Sequence, residues 1–390
     1  MEKIKLIYSS PGTHSGNFEV SLHHVQGLSA ELAKISGLLV ITSADKYSEI
    51  NAEGFTGISL PLGKARLSLP AIPSIMWKNF RYFRFMEKAA GKHSAKAVLE
   101  RLDLLYLSTA LFHKWKKIPL YYEVNGLLDR EFTEKKGTWG IASKIAGFFA
   151  SLAFKFALDN CSGVIVQTEE LRKEIMKITK NRVYVIGNGV STGKFPTAGK
   201  KDGGKFVLVY AGALDRLHPL GEALSFASKV QGVEIHVFGT GPEEKSLREK
   251  FAGKITFHGI VGRGEVLEFM RKSAHAGLLS NMPSGLFSTH GFYFFPFKLL
   301  EYSACGIPCI IYGKTNSIID QFIERQAAFL CSSGSELEKT LGMLVADRKA
   351  AGKAGKNALE AVENYTWKKS AETAVEIIFA GSQPPESSSL

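Results

Sequence analysis

Short apolar runs alternate with amphipathic stretches along almost the whole chain. The runs that predict β-strands are KIKLIYS, SGLLVITS, LDLLYLS, IPLYYEV and SGVIVQT and, after RVYVIGNGV, KFVLVYAG, VEIHVFG, ITFHGIV, AGLLSN and PCIIYG. Helical stretches such as FEVSLHHVQGLSAELAKIS and TEELRKEIMKI lie between them. Continuous apolar strands joined by helices indicate parallel sheets that are covered on both faces. Two such series in succession predict an α/β protein with two doubly wound, Rossmann-like domains.

The pattern also predicts the domain boundaries. The segment Ser191–Gly204 is rich in glycine, lysine and small polar residues, and we interpret it as a linker. An N-terminal domain is therefore expected over 1–190 and a C-terminal domain over 191–365. A final helix is predicted over 366–380, and the Pro- and Ser-rich tail over 381–390 is predicted to be disordered.

Composition agrees with a large protein that needs neither disulfides nor metals for its stability. At 390 residues and 45% hydrophobic content, the chain can bury one core per domain. Its four cysteines form no CxxC pair, which predicts buried small hydrophobic residues in a reducing cytosol and no zinc site. These cysteines are Cys161, Cys305, Cys309 and Cys331.

No segment of the sequence predicts a signal peptide or a membrane-spanning helix. The start, MEKIKLIYSS, has the pattern of a strand rather than of a leader. The longest apolar run, Ile145–Leu158, is interrupted by Lys155 and is too short to cross a bilayer. We predict that it forms a buried interdomain or core helix.

Charge is concentrated in the first half. Up to Val190 there are 26 basic and 17 acidic residues, so this half carries +9 of the net +12. At its centre, the segment 76–92 (MWKNFRYFRFMEKAAGK) places aromatic and basic residues on two faces of a helix. Such a helix is typical of a membrane-surface element, although a core helix with a solvated basic face has the same pattern. Nucleic-acid binding is disfavoured because no nucleic-acid motif accompanies the charge.

The passage FPFKLLEYSACGIPCI, Phe295–Ile310, carries the candidate chemistry. Pro296 suits the first turn of a helix, so a helix is expected to begin near Phe297. Lys298 and Glu301 then lie on adjacent turns of one face. A lysine can neutralise phosphate, and a carboxylate can accept hydrogen bonds from a ribose diol. A solvated surface ion pair is the alternative interpretation.

This passage, with its P-x-K-x-x-E-Y motif, resembles the donor-site signature of the retaining glycosyltransferase family four, which has the GT-B fold. The resemblance implies two Rossmann-like domains whose parallel sheets face an interdomain cleft, and a C-terminal helix that crosses back to the N-domain. It assigns Glu301 to the ribose of the nucleotide. The family's sugar-binding glutamate is replaced by Tyr293, so we expect His290 or the amides around Gly291 to contact the sugar instead.

Other segments extend the resemblance. In VYAGALDRLHPLGEAL, the family's diphosphate-binding arginine is replaced by Ala213, which leaves Arg216 and His218 as substitutes beside Lys298. FGTGPEEKSL resembles a G-x-G-P turn near the nucleotide, although a turn capped by Glu243 and Glu244 explains its glycines equally well. The residues of that turn are Gly239, Gly241 and Pro242. In THSGNFE, Gly16 is a further candidate for a phosphate or acceptor contact, while the absence of GxGxxG argues against a nicotinamide enzyme.

PLYYEVNGLL is the candidate acceptor-side segment, since loops at the carboxyl ends of parallel strands carry functional groups. Asn125 stands where many family members have a histidine, and an asparagine cannot act as a general base. Glu123 is the nearest titratable group. We expect it either to orient the acceptor or to form a structural ion pair.

The sequence thus predicts a hexosyl-type, retaining, metal-independent glycosyltransferase. A nucleotide-diphosphate sugar is its donor substrate, and no cofactor is expected. The acceptor is expected to be a saccharide or lipid-linked molecule in cell-surface polysaccharide or glycolipid synthesis, with the protein in the cytoplasm or at the inner face of the cell membrane. The alternatives are a catalytically degenerate GT-B scaffold subunit, or another GT-B enzyme such as an epimerase or a pyridoxal-phosphate-dependent phosphorylase.

Overall fold

The computed structural model describes residues 5–12, 20–42, 56–59, 72–131, 141–190, 204–215, 219–282 and 290–380. The chain divides into two compact units. The first unit comprises Met1–Gly189 together with Trp367–Leu390, and the second unit comprises Val190–Thr366. Most of the predicted linker and the whole predicted tail lie outside the described residues.

The described part of the first unit contains one parallel sheet of seven strands, in the order β3-β2-β1-β4-β5-β6-β7. Its inner strands are buried along almost their whole length, as expected for a sheet covered by helices on both faces. The strands are β1 (Leu6–Ser10), β2 (Leu38–Thr42), β3 (Thr56–Ser59), β4 (Ala97–Arg101), β5 (Leu120–Val124), β6 (Gly163–Val166) and β7 (Val183–Val185). The helices between them are α1 (Val20–Ile35), α2 (Ile72–His93), α3 (Ser108–Lys116), α4 (Ile141–Asp159) and α5 (Glu169–Ile175).

The second unit contains a parallel sheet of six described strands, in the order β10-β9-β8-β11-β12-β13. They are β8 (Phe206–Ala211), β9 (Val233–Phe238), β10 (Ile255–Gly259), β11 (Ala276–Asn281), β12 (Cys309–Gly313) and β13 (Ala328–Cys331). Separate apolar clusters pack against the two faces of this sheet. The helices are α6 (Leu220–Ala227), α7 (Glu244–Lys250), α8 (Arg263–Lys272), α9 (Phe297–Ala304), α10 (Ser317–Glu324), α11 (Gly334–Ala346) and α12 (Arg348–Val362).

The last helix, α13 (Trp367–Ala380), belongs to the first unit and packs on α1. The contact is tight because Gly27 faces the Trp367 indole: a Cβ added at Gly27 would lie 2.4 Å from Nε1. His24, one turn earlier, meets the same ring edge to face at a centroid distance of 5.0 Å. A glycine in α1 therefore makes room for the aromatic residue that anchors α13.

The predicted α/β class with two parallel, doubly wound sheets is confirmed, but the strand predicted at LDLLYLS is wrong. Strand β4 ends at Arg101, and the segment that follows is a turn leading into α3. Asp103 stabilises this turn, because its carboxylate accepts a hydrogen bond from the Leu105 amide at 2.8 Å. The sequence pattern did not indicate β4 because two of its residues, Glu100 and Arg101, are charged and interrupt the apolar run.

The prediction of a buried helix at Ile145–Leu158 is wrong for one of its faces. Phe154, Ala157 and Leu158 are buried, but the opposite side of α4 exposes four large apolar side chains. These are Ile145, Phe148, Phe149 and Leu152. Across the described ranges, no helix combines the length and apolar character needed to cross a membrane.

Candidate functional site

Helix α9 begins at Phe297 directly after Pro296, as the sequence predicts. Its position is fixed by Tyr302, whose ring packs on Gly277 of β11. The Tyr302 hydroxyl accepts a hydrogen bond from the Ala211 amide at 3.1 Å and donates one to the Leu278 carbonyl oxygen at 3.1 Å. The tyrosine of the motif thus joins α9 to β8 and β11.

Lys298 lies against the loop that follows β8. A Cβ added at Gly212 would lie 2.4 Å from its Cε and 2.9 Å from its Nζ, and Nζ sits 5.4 Å from the centre of the Tyr210 ring. Burial lowers the pKa of Lys298 to about 8, although the negative charges of Glu301 and Asp215 act in the opposite direction. An anion bound beside Nζ would restore the full charge of this amine.

Glu301 forms an ion pair with Arg263, a residue that the sequence analysis did not identify. Arg263 Nη2 donates to Glu301 Oε1 at 2.6 Å, and the two side chains are 46% and 29% exposed. Arg263 is the first residue of α8, which follows the end of β10. Both charged groups remain accessible to a ligand. A basic residue just beyond a strand end was the only sequence signal for Arg263, because 38 residues separate it from Glu301.

The glycines of the G-x-G-P turn are required by the protein itself. Gly239 has φ +127°, and a Cβ there would lie 1.9 Å from the Gly212 carbonyl oxygen. A Cβ at Gly241 would lie 2.2 Å from the Leu214 carbonyl oxygen. The loops after β8 and β9 therefore approach backbone to backbone, and Pro242 follows at an exposed position. Contact of this turn with a nucleotide stays a prediction.

The predicted sugar-side residues lie just before α9. Tyr293 is fully buried and packs against Phe294 at a ring-centroid distance of 4.6 Å, so its side chain offers no surface to a ligand. His290 is partly buried. Arg216, His218 and Gly16 lie outside the described residues. Within the described ranges, no cluster of three or more His, Cys, Asp or Glu residues has the arrangement of a metal site.

The carboxylate of Glu123, in the first unit, is buried and bonded to neighbouring side chains. It accepts a hydrogen bond from Tyr8 Oη at 3.0 Å and pairs with His24 Nε2 at 2.7 Å. Burial alone would raise its pKa, but the charges of His24 and Arg101 and these hydrogen bonds lower the pKa of Glu123 to about 2. A carboxylate with this pKa is a poor base. The predicted acceptor-orienting role of Glu123 stays a prediction.

Asn125 belongs to the same cluster. With its amide oriented by the hydrogen-bonding network, its oxygen accepts from Arg101 Nε at 3.0 Å and its nitrogen donates to Glu123 Oε1 at 3.1 Å. Asn125 thus links a guanidinium to a carboxylate at the carboxyl ends of β4 and β5. Whether it also contacts an acceptor stays a prediction.

Glu100, which the sequence analysis did not single out, is a second buried carboxylate of the first unit. It accepts hydrogen bonds from Tyr82 Oη at 2.7 Å and Thr109 Oγ1 at 2.8 Å. Its Oε1 has no hydrogen-bond partner among the described residues. Burial raises the pKa of Glu100 to about 7, against the lowering effect of these hydrogen bonds. Glu100 ties α2 and α3 to β4.

Residues 219–376 match a family model described as Glycosyl transferase-like. No curated protein matches the sequence. Among solved structures, the chain is similar to sucrose-phosphate synthase (tll1590) from Thermosynechococcus elongatus, with 13% identity, a TM-score of 0.70, and coverage of 96% of this chain and 98% of that one. It is also similar to Anabaena Alr3699/HepE in complex with UDP, with 13% identity, a TM-score of 0.68, and coverage of 97% and 100%.

A third similar structure is WaaG, a glycosyltransferase involved in lipopolysaccharide biosynthesis, with 13% identity, a TM-score of 0.64, and coverage of 96% of this chain and 99% of that one. At these identities the likeness shows the fold. The chain therefore has the GT-B fold of glycosyltransferases, and the segment that carries Lys298, Glu301 and Arg263 is glycosyl transferase-like.

Proposed function

We propose that this protein is a glycosyltransferase that moves a sugar from a nucleotide-diphosphate donor to a saccharide or lipid-linked acceptor. The observation that carries the proposal is the pairing of Lys298 and Glu301 on one face of α9, with Lys298 against the glycine loop after β8. One group has the charge to bind a diphosphate, and the other accepts hydrogen bonds from a ribose diol.

In the proposed mechanism, Lys298 stabilises the negative charge that develops on the leaving diphosphate. Its partly desolvated position strengthens that interaction relative to bulk water. Arg216 or His218 supplies the second positive charge. With two cations at the diphosphate, the reaction needs no metal ion. Retention at the anomeric carbon rests on the resemblance of the P-x-K-x-x-E-Y passage.

Arg263 orients the ribose-binding carboxylate in this proposal. Its guanidinium engages Glu301 Oε1, which leaves Oε2 for a ribose hydroxyl. Because the pair is partly exposed, its own contribution to stability is small, about 1 kcal/mol or less. Its importance therefore lies in the rotamer it gives to Glu301.

The proposed setting is cell-surface polysaccharide or glycolipid synthesis, in the cytoplasm or at the inner face of the cell membrane. Two observations support it: the concentration of positive charge in the first half of the chain, and the similarity to WaaG, which acts in lipopolysaccharide biosynthesis.

Titration with UDP, the ligand named for HepE, tests the donor site most simply. We expect Glu301→Gln to weaken UDP binding about ten- to hundredfold. The neutral amide accepts weaker hydrogen bonds from the ribose hydroxyls than the charged carboxylate does. Glu249→Gln, at an exposed position of α7, is the matched control and should bind UDP like wild type. Equal UDP affinity of all three proteins would refute the proposed role of Glu301.

The second candidate is a nucleotide-binding scaffold without activity. Three departures from the family pattern favour it: Ala213, Tyr293 and Asn125. Transfer or hydrolysis of a UDP-sugar, measured beside UDP binding, separates the two. Turnover that Glu301→Gln abolishes supports the enzyme, whereas tight UDP binding without turnover over a panel of donor sugars and acceptors supports the scaffold.

A further inference from the structure

Large apolar side chains are exposed on three consecutive helices of the first unit. Nine such residues of these three helices are between 48% and 67% exposed. They are Met76, Trp77 and Phe80 on α2, Leu111 and Trp115 on α3, and Ile145, Phe148, Phe149 and Leu152 on α4. Isolated exposed apolar residues are ordinary, but a group of this size marks an interaction surface.

The three helices are neighbours. The Phe83 ring of α2 stacks on Trp115 of α3 at 5.6 Å, and Lys114 of α3 lies 5.8 Å from the ring centre of Phe156 on α4. In the strand order of the sheet, α2, α3 and α4 each lead one way across it, whereas α1 leads the other way. Right-handed crossovers therefore place all three on the face opposite α1. We call their nine exposed apolar residues, with the surrounding cations, the docking surface.

The docking surface is strongly basic. The three helices contain nine lysines and arginines but only two acidic residues, Glu87 and Asp159. Both acids are already neutralised within the surface: Glu87 pairs with Arg84 at 3.2 Å and Lys116 at 3.0 Å, and Asp159 pairs with Lys155 at 2.7 Å. The three helices therefore have a net positive charge, and Arg81, Lys88, Lys92, Lys114 and Lys144 are solvent-exposed.

Helix α4 is apolar on both sides. Its exposed residues follow the spacing i, i+3, i+4 and i+7, which forms a stripe along one side, while Phe154 and Leu158 are buried on the other. Lys144, Ser151 and Lys155 of the same helix are exposed beside this stripe, so α4 presents cations and large apolar side chains together. The α2 cations and the α4 stripe together match a surface that is anionic at its head groups and apolar beneath them.

We propose that α2, α3 and α4 form one membrane-docking surface, which binds a bilayer containing anionic lipids and inserts its aromatic residues at the interface. The cations provide the first attraction, and the apolar stripe provides the insertion. This proposal goes beyond a single basic helix. It rests on the proposed function only in that docking would bring the enzyme to a lipid-linked acceptor.

Cosedimentation with vesicles tests the docking surface. Wild type should bind phosphatidylcholine vesicles containing about 30% phosphatidylglycerol at least about tenfold more tightly than pure phosphatidylcholine vesicles, and salt should weaken this binding. Two double variants test the two parts of the surface. Phe148→Ser with Phe149→Ser removes apolar side chains of α4, and Arg81→Glu with Lys88→Glu reverses positive charges of α2. Each should lower anionic-vesicle binding about tenfold or more. Met343→Ser, at an exposed apolar position of α11, is the matched control and should bind like wild type.

Circular dichroism and UDP titration of each variant separate docking from folding and from the donor site. Loss of vesicle binding with intact UDP binding supports the docking surface. The proposal is overturned if the wild-type protein does not bind anionic vesicles. It is also overturned if the α4 variant binds them as tightly as wild type. Self-association that the α4 variant abolishes, without vesicle binding, would assign the surface to a second copy of the chain and also overturn the proposal. Vesicle binding without UDP binding would instead contradict the proposed function.

Discussion

Lys298 and Gly212 depend on each other, because the lysine occupies the space that any side chain at position 212 would fill. Gly212 also has φ +152°, a conformation that L residues rarely adopt. We therefore predict that Gly212→Ala displaces the Lys298 side chain, weakens UDP binding at least about tenfold, and destabilises the protein by about 1–3 kcal/mol. Isothermal titration and denaturant unfolding measure the two effects.

Gly342→Ala provides the matched control for this substitution. Gly342 lies within α11, and a Cβ there meets no atom within 4 Å. This variant should leave UDP binding unchanged and stabilise the protein by about 0.5–1 kcal/mol, since alanine favours helix. If both alanine variants bind UDP like wild type, the lysine does not reach the ligand from this position.

Glu100 makes stability depend on pH. Its pKa is about 7 in the folded protein and 4.5 as the ordinary value, so the folded state holds more protons between these pH values. Stability should therefore fall as pH rises from about 4.5 to about 7, by an amount approaching 3 kcal/mol. Glu100→Gln should remove this fall in urea unfolding measured across that range. If the free energy of unfolding of the variant falls with pH as that of wild type does, Glu100 is ionised in the folded protein.

At the residue scale, the sequence placed Lys298 and Glu301 correctly on one helical face, because their spacing depends only on local geometry. It did not predict Arg263 opposite Glu301, since that contact depends on how α8 and α9 pack. The sequence also did not decide whether the glycines of the G-x-G-P turn serve contact with a ligand or only the turn itself. The structure gives them a packing requirement, the close approach of two loops.

At the scale of elements, the anchoring of α13 on α1 depends on Gly27. A Cβ at this position would overlap the Trp367 ring. Gly27→Ala should therefore destabilise the protein by about 1–3 kcal/mol, as overpacking of a core contact does. Gly91→Ala, near the end of α2, has open space around the new Cβ and is the control. Equal unfolding midpoints for the two variants in guanidinium would mean that α13 adjusts without cost.

Element types were predictable wherever one pattern extended over a whole segment, as in β5, β11 and α1. The strand β4 was missed because its last two residues are charged: Glu100 accepts hydrogen bonds from Tyr82 and Thr109, and Arg101 donates to Asn125, which an apolar count cannot register. For α4, length and composition indicated burial. The sequence does not reveal that only one side of this helix finds a partner in the fold.

At the scale of the whole molecule, two parallel sheets follow from the alternation of strands and helices, and the charge asymmetry follows from composition.

If the donor site lies on the second unit, UDP should slow amide hydrogen exchange in the loops after β8 and β9 and at the starts of α8 and α9. Hydrogen-exchange mass spectrometry with and without UDP measures this. Protection confined to the first unit would place the nucleotide elsewhere.

The most direct test of the donor site is proton uptake on UDP binding. Because the pKa of Lys298 is about 8 and a bound diphosphate would raise it, UDP binding near pH 8.5, where the phosphates of UDP are already ionised, should take up roughly half a proton or more. Calorimetric titration in buffers of different ionisation enthalpy measures this number. We predict that Lys298→Met abolishes the uptake and weakens binding, whereas Lys245→Met, on the exposed side of α7, preserves both. The same proton uptake in wild type and Lys298→Met would contradict the proposal that Lys298 binds the diphosphate.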